Sequence, residues 1–109
     1  MSNEKNQSAE MLFLQLILMF QTAALQQMGK LTNPLTQKVE KDLEQAKFSI
    51  DILGMLEEKT RVNLSEEEKK FLDYVLFELR MNYLEESKEE KKEESKEKKE
   101  TNDEKSKAS

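Results

Sequence analysis

The chain has 109 residues, with 18 Lys or Arg against 23 Asp or Glu and a net charge of −5. It contains no cysteine and no histidine, which excludes disulfides, zinc centres of the Cys/His kind and the usual Ser–His or Cys–His catalytic pairs. Two glycines, one proline and intermixed charges of both signs are the composition of an all-α protein. The basic face or pole of a nucleic-acid binder is absent, so no nucleic-acid partner is expected.

After a flexible N-terminus at residues 1–8, a first helix is expected at about 9–28. Ser8 is placed to act as N-cap, and Glu10 falls in the first turn, where the helix dipole favours an acid. Gly29 is the C′ residue in the left-handed conformation. From Met11 to Phe20 every residue but Gln15 is apolar. Ten helical residues cover about 15 Å, half the ~30 Å core of a bilayer. Extending the run brings in Gln21, Thr22, Gln26 and Gln27. A buried helix is therefore expected rather than a span, and a membrane role is the lesser reading.

The Asn33-Pro34 pair marks a turn, and a second helix is expected at about 36–61. Val39, Leu43, Ala46, Ile50 and Leu53 recur at steps of 4, 3, 4 and 3, the spacing of a packing seam. Gly54 lies mid-helix, where glycine costs about 1 kcal/mol relative to alanine; close approach of two helices would explain it. After a short break at Arg61–Leu64, Ser65-Glu66-Glu67-Glu68 forms a capping box that opens a third helix at about 66–84. Short connections favour antiparallel neighbours, so the fold expected is a three-helix antiparallel bundle. Residues 85–109 contain ten acids, eight lysines and one apolar residue, Ala108. They read as a charged tail, disordered or a fraying helix, and a possible docking segment for another protein.

Each of the last two helices carries two apolar stripes. In helix 2, Phe48, Ile52 and Met55 lie roughly opposite the seam. In helix 3, Tyr74, Phe77, Met81 and Leu84 lie opposite Phe71, Leu72, Val75, Leu76, Leu79 and Tyr83. One layer of three helices buries one stripe of each. A second copy is the economical cover for the remainder, so those seven residues are the expected oligomer interface and a homodimer the expected assembly. Within such an assembly Gln15 is a candidate buried amide, pairing with its own copy or with Thr22 or Gln26 of the other chain. Arg80 is a candidate for an ion pair with Glu57 or Glu58, or with an acid of the other chain.

No catalytic, cofactor or metal site is expected. Glu-x-x-His motifs cannot exist without histidine, and neither a Walker A loop nor a GxGxxG fingerprint occurs. Asp51, Glu57, Glu58 and Glu78 are the carboxylates nearest to apolar surface, and they read as solvated rim charges rather than acid/base groups.

The segments FLQLILM (Phe13–Met19), NPLT (Asn33–Thr36) and DLEQAKFSIDILGMLEEKTRVNLSEEEKKFLDYVLFELRMNYLE (Asp42–Glu85) resemble a family of small bacterial proteins catalogued as domain of unknown function eighteen forty-four. The resemblance covers about residues 11–85. It implies a helical protein of the bacterial cytoplasm and brings no assigned catalytic or ligand-binding residues. Two readings of function remain from these residues: a non-catalytic, self-associating interaction or accessory module, or a peripheral membrane protein that uses helix 1 as an interfacial anchor.

Overall fold

A computed structural model describes the backbone of residues 2–108 and the side chains of residues 8–96. Three helices make up the chain: α1 (Ser2–Gln27), α2 (Leu43–Thr60) and α3 (Glu66–Ala108). They run up, down and up. The C-terminal end of α1 meets the start of α2, where Gln27 touches Ser49. The N-terminal half of α1 borders the start of α3 around Phe13, Glu68 and Phe71.

On α2 and α3 the core follows the expected seams except at Val39, whereas α1, expected to be a buried helix, buries one side only and leaves Met11, Leu12, Leu18 and Met19 exposed. Ile17 and Ala24 of α1 and Met28 just after it, Ala46, Ile50 and Leu53 of α2, and Leu72, Val75, Leu76 and Leu79 of α3 are buried, with Phe71 and Tyr83 packed against them. Helix spacing places these residues on one side of each element.

The boundaries differ from expectation in three places. The helical backbone of α1 reaches back to Ser2, since Ser2–Ser8 contains no glycine or proline to stop it. Helix α2 starts at Leu43 instead of residue 36. Asp42 is its N-cap, accepting a hydrogen bond from the Gln45 amide at 3.2 Å. The preceding residues are held elsewhere. Asn33 Oδ1 accepts from the Leu35 amide and the Lys38 carbonyl accepts from the Asn33 amide, both at 2.9 Å. Gln37 has φ +57°, a left-handed conformation that interrupts any helix through it. Val39, placed in the seam by its spacing, is therefore off the helix and exposed. The third difference is the charged tail: α3 continues through it as one helix to Ala108, about 65 Å at 1.5 Å per residue. With no glycine or proline and Glu and Lys at helical spacing, nothing in this segment terminates the helix.

Two local predictions hold in detail. Gly29 has φ +79°; its amide donates to the Gln26 carbonyl and that of Lys30 to the Leu25 carbonyl, the paired bonds of a Schellman motif. At α3, Glu68 Oε1 accepts from the Ser65 amide at 3.0 Å and Ser65 Oγ from the Glu68 amide at 3.2 Å.

Candidate interaction surface

Each helix carries an outward apolar stripe on the side away from the core. On α1 it comprises Met11, Leu12, Leu18 and Met19, of which Leu12 and Met19 are 71 % and 66 % exposed. On α2, Phe48 is 62 % and Met55 45 % exposed, and Ile52 is half-buried. On α3, Tyr74, Phe77, Met81 and Leu84 are between 49 % and 62 % exposed. Large apolar side chains in such number, arranged in stripes, exceed the scattered exposure normal for a monomer surface.

The seven residues expected to form one interface fall on two separate surfaces. Ser49 faces Gln27 of α1, and Ile52 follows one turn later on the same side. The α2 stripe therefore borders α1. The strip between them is apolar: Leu16, Phe20 and Ala23 of α1 and Leu56 of α2 are half-buried, and no residue from Met11 to Gly29 is charged. The other side of α2 faces α3 through Gly54, Glu57 and Arg80. Asp51 and Glu58 on α2 and Asp73 and Arg80 on α3 thus put a charged strip between the α2 and α3 stripes.

Within the chain, Glu57 does not pair with Arg80. Glu57 pairs with Arg61, whose Nε and terminal nitrogen donate to its two carboxylate oxygens at 3.0 and 2.9 Å. The guanidinium of Arg61 is one turn along the same helix, so closing that pair orders fewer torsions than reaching α3. The Glu57 carboxyl is held below its ordinary range, first by the hydrogen bond from Arg61, with Arg80 adding a weaker coulombic pull. Arg80 and Glu58 are exposed. The Arg80 guanidinium lies 3.1 Å from where a Cβ on Gly54 would stand, so Gly54 makes room for an arginine and not for a neighbouring backbone.

Gln15 is exposed in the single chain. The amide between helices is Gln27, 2.7 Å from Ser49 Oγ. Turned so that its nitrogen faces α2, it also donates to the carbonyls of Gln45 at 3.0 Å and Ala23 at 3.3 Å, which satisfies both ends of the group.

A second polar feature lies where the sequence shows only a charged tail. Glu86 is 8 % exposed. Its two carboxylate oxygens each take a lysine ammonium at 2.7 Å, Lys30 just after α1 and Lys41 just before α2. It clamps both legs of the α1–α2 connection, which is itself closed by an antiparallel bridge between Met28 and Lys41. Hydrogen bonds from Lys30 and then Lys41 lower the Glu86 pKa against the opposing effect of burial. The same bonds raise both lysines.

Open clefts lie at two places. One of about 510 Å³ is lined by Glu10, Met11, Phe13, Leu14, Glu68 and Phe71 among others, and a second adjoins it at Thr60, Asn63 and Leu64. A cleft of about 360 Å³ at Phe77 and Arg80 contains Glu57, one of the four carboxylates singled out in the sequence. Among the described residues, no group of three or more Asp or Glu converges as a metal site.

The stretch Ser8–Gln27 is long and apolar enough, by length and composition, to cross a membrane: its mean hydropathy is 1.5 despite its glutamines, and 11 % of the window is buried. Ile17, Ala24 and Met28 nevertheless anchor this helix in the core.

The chain matches the family described as domain of unknown function DUF1844 over residues 10–85. It belongs to that family. The match takes in α1 from residue 10, all of α2, and α3 as far as Glu85, so all three outward stripes and the capping box fall within it. No curated protein and no solved structure matches the chain. The family carries no assigned function, and the function of this member is likewise unknown.

Proposed function

We propose that this protein is a non-catalytic interaction module of the cytoplasm that works as a homodimer joined through outward apolar surface. The observation that supports this most directly is the exposure of Leu12, Met19, Phe48, Met55, Phe77 and Met81 around a core that is already filled. Burying a large apolar side chain contributes ~1.5–3 kcal/mol. Several half-exposed ones together offset the ordering cost of association. A second copy is the partner always present at the protein's own concentration.

Light scattering on the full chain tests this reading. A dimer mass at micromolar concentration is expected, and a monodisperse monomer contradicts it.

The hydropathy of Ser8–Gln27 favours a second reading, in which α1 lies in a lipid interface. Flotation with vesicles separates the two: a protein that floats with lipid and is monomeric without it belongs to the second.

A further inference from the structure

We infer that the two copies meet through the α1–α2 face, α1 against α1, with Met19 next to its own copy at the two-fold axis, and that the α3 stripe takes no part. This rests on the self-association reading and specifies its surface.

Three observations carry it. First, Leu12, Gln15, Met19, Thr22 and Gln26 follow steps of 3, 4, 3 and 4 and form one seam on the outward side of α1, apolar at Leu12 and Met19 and polar at the other three; Leu12, Gln15, Met19 and Thr22 are exposed, with Gln26 half-buried. Met19 is the middle residue. Full overlap of two such seams about a two-fold axis sets Met19 beside Met19 whether the helices run parallel or antiparallel. In the parallel sense Gln15 faces Gln15, and in the antiparallel sense Thr22. Either way an amide meets a polar partner and resists a shift of register.

Second, charge selects this face over α3. The chain carries a net −5, yet nothing charged lies between Met11 and Gly29, so α1 meets its copy there without burying a charge. The α3 stripe is flanked by Asp73 and Arg80 on one side and Glu78 and Glu85 on the other, charges that self-pairing would desolvate.

Third, the face is large enough. It is about 30 Å long and about two helix diameters, ~20 Å, across. That is a footprint of roughly 600 Å² in projection, near the ~800 Å² of accessible surface per partner in a standard interface. A lipid surface fits less well. Interfacial helices carry lysine or arginine beside their apolar face, whereas Ser8–Gly29 has neither, and three polar side chains interrupt the seam.

Because the chain has no cysteine, single-cysteine variants report the contact directly. Met19→Cys is expected to form a disulfide-linked dimer on mild oxidation of the full chain, and Phe77→Cys to remain uncrosslinked. Met19→Glu is expected to lose the dimer mass in light scattering, and Phe77→Glu to keep it. Both side chains are mostly exposed, so circular dichroism should show unchanged helix content and separate dissociation from unfolding. The reverse pattern, with Phe77 variants crosslinking and dissociating and Met19 variants inert, overturns this inference while leaving self-association standing. A wild-type monomer overturns both, as does co-flotation of the wild type with vesicles of anionic and zwitterionic lipid.

Discussion

The two sides of α2 teach different lessons about the same helix. Toward α1 the boundary is apolar throughout, with one satisfied amide, Gln27, bonded to Ser49. Toward α3 it is charged, and Gly54 leaves space for the Arg80 guanidinium. An apolar boundary at the surface gains by acquiring a further layer. A charged one is already solvated and gains little from burial, because desolvating charges costs more than imperfect pairing returns. Exposed apolar area alone does not identify an interface; what lies between the exposed residues does.

The comparison is broken most completely in the core that both sides share. Leu53 is fully buried, and Leu53→Ala should destabilise the fold by about 3 kcal/mol, measured by urea unfolding at several protein concentrations. Removing Ser49 Oγ strikes the α1 side alone. Ser49→Ala removes one contact of the Gln27 amide, whose nitrogen keeps the Gln45 and Ala23 carbonyls, and should cost up to about 1 kcal/mol in the same measurement.

At the far end of the α1–α2 connection, Glu86→Gln should cost about 1 kcal/mol, with a distinct pH signature. The folded pKa of Glu86 is lowered from 4.5, so its stabilisation is complete above that value and is lost as pH falls through the folded pKa. Unfolding of the wild type from neutral pH downward should therefore show an acid-dependent component that Glu86→Gln reduces. A pH dependence identical in the two proteins would show that the clamp contributes nothing. The smallest effect is expected at the α3 side. Gly54→Ala gains helix propensity of up to about 1 kcal/mol and requires only the flexible, exposed end of Arg80 to shift. A net stabilisation of a few tenths of a kcal/mol is expected, and a loss larger than that would mean that Arg80 is fixed in place.

Local signals in the residues were sufficient wherever the cause was local. The Ser65–Glu68 box and Gly29 are readable because donor and acceptor lie within five positions of each other. The same kind of signal existed at the start of α2: Asp42 with Gln45 three residues on is an N-cap pattern, obscured by the Val39 spacing, which continues the seam pattern past the true helix start. Glu86 offered no such sign. Within EESKEEKKEE it is one of several equivalent acids, and only the return of Lys30 and Lys41 to its side distinguishes it. Arg80 and Glu57 were correctly read as neighbours of the apolar faces, but the nearer guanidinium, Arg61, takes the bidentate bonds.

By itself the sequence determined that this protein is all-α, which side of α2 and of α3 enters the core, and that more apolar side chains are present than one layer of three helices encloses. Those properties follow from periodicity, which is encoded residue by residue along the chain. The tertiary structure decided which stripes share a surface, which acid is buried, and which arginine Glu57 holds. These depend on how the helices are placed around one another, and that arrangement is set by packing between residues far apart in the chain.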